Sequence, residues 1–132
     1  YVLIEFSTRE TQPIEDVMYN IAHMGFIPIL AHVERYAYLS LDDIASIKKH
    51  GALIQMNTSS ILGLDQAVKP KYALKLLKLG LIDFIATDAH NLDHRSPNLF
   101  TCYQYLKKYL PDKQLNPLFI DNLKPILEAI KH

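Results

Sequence analysis

The sequence has very little of what would crosslink it or anchor it in a membrane. Among its 132 residues there is one cysteine, Cys102. A single thiol excludes disulfides, cysteine zinc sites and iron–sulfur clusters within the chain, and it fits a reducing compartment. No apolar run approaches the roughly 20 residues of a membrane-spanning helix, and no charged-then-apolar signal segment opens the sequence. We therefore expect a cytoplasmic chain with no membrane insertion.

Net charge is also lacking, because 14 Lys and Arg balance 14 Asp and Glu. This removes the broad positive field of a general nucleic-acid binder, so any affinity for an anion must come from local charge. No linker or low-complexity tract divides the chain. The chain has 49% apolar residues, and its 132 residues are enough to bury a core without disulfides or structural metal. We expect residues 1–132 to form one domain or a piece of one.

Three segments share one layout, in which an amphipathic helix ends at glycine, an apolar strand follows, and a polar residue closes the strand. The predicted helix and strand pairs are 13–25 with 26–31, 40–51 with 52–56, and 72–80 with 81–86, after an opening strand at 1–6. Two further helices are predicted at 99–110 and 121–131, separated by Pro111 and Pro117. The alternation predicts an α/β fold with parallel strands, covered on both faces.

Polar side chains lie near or just after the carboxyl end of each predicted strand, and parallel crossovers bring these ends to one edge of a sheet. The residues at these positions are Glu5, His32, Asn57, Asp88 and His90. Carboxylate and imidazole ligands without thiolates suit Mn, Fe or Zn. A metal at such an edge would lower the pKa of a bound water and polarise a phosphoryl oxygen. Hydrolysis is the reaction that this set of residues favours.

Two arginines follow these residues closely. Arg35 comes three residues after His32, and Arg95 comes five after His90. Because guanidinium stays charged and matches phosphate oxygens in a bidentate fork, the pattern suggests an anionic ester, most simply a phosphate monoester. His94, beside Arg95 in the same loop, is a further candidate for contacting the substrate, as is Asn57.

Each of these residues also has a structural interpretation. Asn57 and Asp88 suit helix caps, Glu5 suits an ion pair, His32 suits an ordinary loop position, and the arginines suit surface charges. These interpretations do not explain why acid, histidine and arginine occur together at one edge. Cys102 lies within a predicted helix and lacks a basic phosphate-cradling loop, so it is a poor nucleophile candidate.

Three motifs carry a family resemblance. Residues 29–36 (ILAHVERY), 55–63 (QMNTSSILG), and 85–91 (IATDAHN) with 95–97 (RSP) occur in order and span most of the chain. They resemble the bacterial manganese-dependent protein-tyrosine phosphatases of the polymerase-and-histidinol-phosphatase (PHP) superfamily, which accompany capsular and exopolysaccharide synthesis. Val33 departs from the proline usual in the first motif but leaves His32 and Arg35 in register.

The resemblance implies a partial, distorted TIM-like (β/α) barrel and hydrolysis of phosphotyrosine by a metal-activated water, without a cysteinyl-phosphate intermediate. It implies Mn²⁺ first, with Fe, Zn or Mg as alternatives, and a phosphotyrosine protein as substrate, such as a bacterial tyrosine kinase. The implied metal ligands are Glu5, His32, Asp88 and His90, and the implied catalytic residues toward phosphate are Arg35 and Arg95.

One departure from the family pattern is an absence. The family's N-terminal His-x-His motif and its other early ligands have no counterpart in this sequence. We therefore expect an incomplete domain whose full metal centre needs ligands absent from this chain, and which is poorly active alone. Its first strand would be an open sheet edge that invites a second copy or a separate N-terminal piece.

Two alternatives stay open. One is hydrolysis of a small phosphate ester such as histidinol phosphate. The other is a non-catalytic module whose polar edge binds an anion or a partner.

Overall fold

A computed structural model describes residues 1–87 and 98–130 of the chain, in which short strands alternate with helices. The elements are β1 (Val2–Ile4), α1 (Ile14–His23), β2 (Pro28–Leu30), α2 (Leu41–Lys49), β3 (Leu53–Asn57), α3 (Thr58–Ile61), α4 (Pro70–Lys78), β4 (Phe84–Ala86), α5 (Leu99–Leu106), α6 (Asp112–Phe119) and α7 (Lys124–Ile130). Single-turn 3-10 helices occupy Val33–Arg35 and Asp121–Leu123. None of the described helices has the length and apolarity needed to cross a membrane.

The strands form one parallel sheet in the order β1-β2-β3-β4. Each strand pairs with the next one along the chain, and the intervening helices cover the sheet. Among the described residues β1 and β4 lie at the edges, so the sheet is open, as in part of a barrel. The predicted α/β architecture of a partial barrel is confirmed.

The predicted starts and stops of the first two helices are also confirmed. At the start of α2, the Asp43 N–H donates to Ser40 Oγ at 3.0 Å, and the Ser40 N–H donates to Asp43 Oδ2 at 2.9 Å. This reciprocal capping box satisfies donors that a helix start leaves unpaired. Gly25 and Gly51 follow α1 and α2 at φ 91° and 101°, where a side chain would be strained.

The carboxyl-terminal part differs from the sequence prediction. Pro117 was expected to separate two helices, but it lies inside α6, and only Pro111 precedes a helix start. The physical reason is burial: Leu115, Leu118 and Phe119 pack α6 into the core, which offsets one missing backbone hydrogen bond. The last α-helix begins at Lys124 and not at Asp121. Strands β1, β2 and β4 have three residues each and are shorter than their apolar runs, whereas β3 keeps five residues and is shifted by one position.

The core lies between the sheet and the helices. Helix α1 packs on β2 and α2, while α6 packs on β4. The side chains of Leu30, Ile44, Ile54, Met56 and Leu76 are fully buried. Their packing fixes the spacing of the strands, and therefore the spacing of whatever follows the strand ends.

Two leucines in paired strands should differ sharply in their contribution to stability. Leu30 of β2 is 0% exposed, whereas Leu3 of β1 is 64% exposed. We expect Leu30→Ala to lower the free energy of unfolding of this chain by about 2–5 kcal/mol, because it opens a cavity. The matched variant Leu3→Ala should cost less than about 1 kcal/mol. Urea unfolding measures both, and equal losses would contradict the assigned core.

Candidate functional site

The site lies at the carboxyl edge of the sheet, where β1 and β2 end side by side. Ile4 pairs with Leu30, and the Ala31 N–H donates to the Ile4 carbonyl at 3.0 Å. The next residue of each chain segment is polar: Glu5 follows Ile4, and His32 follows Ala31. Parallel pairing thus brings together two side chains that lie 27 positions apart in the sequence.

Glu5 and His32 are in direct contact. His32 Nε2 lies 3.1 Å from Glu5 Oε1, and the His32 side chain is 6% exposed while that of Glu5 is 59% exposed. The imidazole is therefore buried with one nitrogen toward the carboxylate, and the other nitrogen, Nδ1, is buried with no hydrogen-bond partner among residues 1–87 and 98–130.

His32 has an unusual backbone conformation. At φ 35° and ψ 60° it is in the left-handed region, which residues other than glycine rarely adopt. Such strain persists only where neighbouring groups hold it, and here the His32 N–H donates to Gln55 Oε1 at 2.6 Å. The left-handed residue turns the chain into the 3-10 helix Val33–Arg35.

Glu34, in that 3-10 helix, ties the end of β2 to the end of β3. Its Oε1 accepts hydrogen bonds from the Asn57 N–H at 3.0 Å and from Ser60 Oγ at 2.6 Å. Its side chain is buried, and burial raises the pKa of the carboxyl above its usual range, although the bonds from Ser60 and Asn57 act in the opposite direction.

Two tyrosines hold the segment that follows Glu5. The Phe6 N–H donates to the Tyr36 hydroxyl at 3.1 Å, and the Tyr38 hydroxyl donates to the Ser7 carbonyl at 2.8 Å. Burial raises the pKa of the Tyr36 hydroxyl to about 12, so this group stays neutral. The segment after β1 is thus fixed against the segment after β2.

A polar cleft of about 380 Å³ opens beside the contact between Glu5 and His32. Its lining residues are Glu5, Phe6, Ser7, Thr8, Arg9, His32 and Arg35. Arg35 Nε lies 3.4 Å from Asp65 Oδ2, an ion pair that lacks hydrogen-bond geometry. The cleft therefore combines an acid, an imidazole and two guanidinium groups.

Asn57 ends β3 at the position that precedes α3. Its side chain makes no capping hydrogen bond to that helix, so the capping interpretation is wrong. Asn57 Oδ1 instead accepts from Gln55 Nε2 at 3.0 Å, and the residue is 4% exposed.

Four predicted site residues, Asp88, His90, His94 and Arg95, lie outside the described residues. The described neighbours on both sides of that segment are at the carboxyl edge: Ala86 pairs with Asn57, and Asn98 Oδ1 accepts from Thr58 Oγ1 at 2.5 Å.

The described donors fit part of a metal centre. Carboxylate oxygen and imidazole nitrogen are suitable ligands for Mn, Fe or Zn, and Glu5 and His32 present them in contact at the cleft. Within residues 1–87 and 98–130, no cluster of three or more His, Cys, Asp or Glu could hold a metal ion. The described part of the chain thus offers a ligand pair.

Sequence reasoning missed the polar residues behind the cleft, namely Gln55, Glu34, Tyr36 and Tyr38. A signal for Gln55 was present, because it is the one polar side chain within the apolar run 52–56. Nothing in the sequence pattern indicates that its partner is the backbone of His32.

A sequence model of the family described as "Capsular polysaccharide synthesis, CpsB/CapC" matches residues 1–128. The chain is 33% identical to the tyrosine-protein phosphatase CpsB of Streptococcus agalactiae serotype V over 136 aligned positions, covering 97% of this chain and 56% of that protein. It is 31% identical to CpsB of Streptococcus pneumoniae, covering 96% of this chain and 56% of the relative. The chain thus spans about half the length of the curated relatives it matches.

Solved structures agree with the sequence comparison. One match belongs to work described as "Crystal structures of YwqE from Bacillus subtilis and CpsB from Streptococcus pneumoniae, unique metal-dependent tyrosine phosphatases". The match has a TM-score of 0.70 at 27% identity and covers 82% of this chain and 46% of the solved one. The similarity in fold therefore extends over most of the chain.

Cys102 should be unreactive in the folded chain. It is 0% exposed, and burial raises the pKa of its thiol from 9.0 to about 12. At pH 8 this shift lowers the thiolate fraction about a thousandfold, so iodoacetamide should label the native chain at least that much more slowly than the urea-unfolded chain. Mass spectrometry measures the labelling, and equal rates in the two states would contradict the burial.

The same shift affects stability at high pH. Because the folded state keeps a proton on Cys102 that the unfolded state has lost, the free energy of unfolding should fall as pH rises from 9 toward 12.

Proposed function

This chain belongs to the capsular polysaccharide synthesis CpsB/CapC family, and from that premise we propose that it supplies part of a metal-dependent protein-tyrosine phosphatase. The observation that carries the proposal is the contact of Glu5 with His32 at a polar cleft that also contains Arg35. The names of the matched relatives support the reaction type, hydrolysis of a phosphate ester. The structure agrees with this reaction type, because an acid, an imidazole and a guanidinium lie together at one edge, a set of groups that suits metal-dependent hydrolysis of a phosphate ester.

Four side chains would hold the metal in this proposal: Glu5, His32, Asp88 and His90. A divalent ion bound by them would lower the pKa of a water ligand and polarise a phosphoryl oxygen. We propose Mn²⁺ as the ion, with Fe, Zn or Mg as alternatives. His32 would act through Nε2, since that nitrogen faces Glu5 at the cleft.

Arg35 and Arg95 would act on the phosphate. Arg35 lines the same cleft as Glu5 and His32, and its ion pair with Asp65 restrains the guanidinium. A guanidinium in this position would orient the phosphate and stabilise the charge that develops on its oxygens. We retain Asn57 and His94 as further candidates for contacting the substrate.

We propose a phosphotyrosine protein as the substrate, in particular a bacterial tyrosine kinase of capsule or exopolysaccharide synthesis, and a cytoplasmic location. The curated relatives are about twice as long as this chain. We accordingly propose that residues 1–132 are one incomplete domain, and that the full metal centre takes ligands from strands of the relatives that this chain does not match. A further copy of the chain at the open edge of β1 is an alternative source of contacts.

The first test is metal-dependent release of phosphate. The natural protein that contains this chain should release phosphate from a phosphotyrosine peptide only with Mn²⁺, and His32→Ala should lower the rate at least about a hundredfold because a ligand is lost. Malachite green detects the phosphate, and Cys102→Ser is the control variant that should keep full activity. Faster release from histidinol phosphate would identify a small-molecule phosphatase instead. A protein that neither binds metal nor releases phosphate would be a non-catalytic module.

The second test separates the arginines from the ligands. Arg35→Ala and Arg95→Ala should each lower turnover about 10²–10³-fold, because each removes a donor that stabilises developing charge. Both variants should retain the metal content of the unchanged protein, measured by atomic emission. Loss of bound metal in either variant would show that the arginine supports the metal site and would contradict its assignment to phosphate.

A further inference from the structure

Behind the cleft lies a buried network of hydrogen bonds that we call the Gln55 bridge. It is formed by His32, Gln55, Asn57 and Glu34. The Gln55 side chain accepts the His32 N–H through Oε1 at 2.6 Å. Its Nε2 donates to the Met56 carbonyl at 2.9 Å and to Asn57 Oδ1 at 3.0 Å. The Asn57 N–H then donates to Glu34 Oε1, which returns the connection to the segment that follows β2.

The Gln55 amide is itself fixed. Gln55 is 8% exposed, and both ends of its amide are hydrogen-bonded, which settles which end faces His32. A buried amide with satisfied donor and acceptor groups has one orientation, since a flip would place two donors or two acceptors face to face. The acceptor therefore always points at the His32 backbone.

His32 needs such an acceptor. It occupies φ 35°, a conformation that costs free energy for any residue with a side chain, and its ring must still reach Glu5. Tyr36 lies beside the ring, with the two ring centroids 5.4 Å apart, but it forms no hydrogen bond to either ring nitrogen of His32. Among the described residues, the hydrogen bond that holds the His32 backbone from the neighbouring strand is the one to Gln55.

We propose that Gln55 is a positioning residue: it holds His32 in its left-handed conformation and thereby sets the direction of Nε2 toward Glu5 and the cleft. The inference rests on the proposed function only in its consequence for metal affinity. Groups that orient a ligand from behind typically change metal affinity 10–100-fold when they are removed.

The test compares Gln55→Met, which keeps the side-chain length but removes both polar ends, with Asp83→Ala. Asp83 is a matched control because its carboxylate accepts the N–H of Ile54, the neighbour of Gln55, at 2.8 Å, and Lys48 Nζ at 2.6 Å, so its loss also removes polar contacts to β3. Asp83 precedes β4 and lies at the opposite end of the sheet from His32. The variant Asp83→Ala should lower the melting temperature without moving His32.

Two readouts are taken on the natural protein that contains this chain: the nuclear Overhauser contact between the His32 and Tyr36 rings without metal, and the dissociation constant of Mn²⁺ by calorimetry. Gln55→Met should lose the ring contact and weaken Mn²⁺ binding about tenfold or more, whereas Asp83→Ala should keep both. Gln55→Met with the ring contact intact and Mn²⁺ affinity unchanged would overturn the proposal.

Two further outcomes stay informative. If Gln55→Met does not fold, the His32 amide of the unchanged protein is measured instead, and it should exchange slowly with solvent because it is buried and bonded to Gln55. Fast exchange of that amide would overturn the inference. If the unchanged natural protein binds no Mn²⁺, the proposed metal site fails, while the ring contact still decides the role of Gln55.

Discussion

The parallel pairing of β1 with β2 is the constraint on which the site depends. Because Ile4 pairs with Leu30, the residues that follow these strands emerge together, and Glu5 meets His32 at 3.1 Å. A shift of this register by one residue would turn every side chain of β1 to the other face and separate the two donors. The buried side chains of β2 and β3 hold the register, so the same packing that forms the core also positions Glu5 beside His32.

The polar groups behind the cleft explain how a strained residue persists in a small fold. The backbone of His32 is in the left-handed region. The hydrogen bonds of Gln55, Asn57 and Glu34 form a buried network that connects the ends of β2 and β3. In a low-dielectric interior an unpaired amide is costly, so the fully hydrogen-bonded Gln55 amide has one favourable orientation and orients what it touches. On the side of β1, the hydroxyl groups of Tyr36 and Tyr38 hold the segment after Glu5 by hydrogen bonds to its backbone.

Local sequence signals predicted the alternating helices and strands, whereas contacts between distant residues determined the features that the sequence did not reveal. Glycines after helices, the Ser40 capping box and the apolar runs revealed the alternation of helices and strands, and with it the edge that collects Glu5 and His32. The position of Pro117 inside α6 was missed because its helix is stabilised by burial, which a proline rule does not weigh. The role of Gln55 was missed because its partner lies 23 positions away and is a backbone group, which carries no residue-type signal.

The central claim is that Glu5 and His32 belong to one metal site, and it is tested most directly by diffraction. Crystals of the natural protein grown with MnCl₂ should be measured on both sides of the manganese absorption edge. The account predicts an anomalous peak at the carboxyl edge of the sheet, in contact with both His32 Nε2 and a Glu5 carboxylate oxygen. A protein with full phosphatase activity whose manganese peaks all lie away from these two atoms would contradict the account.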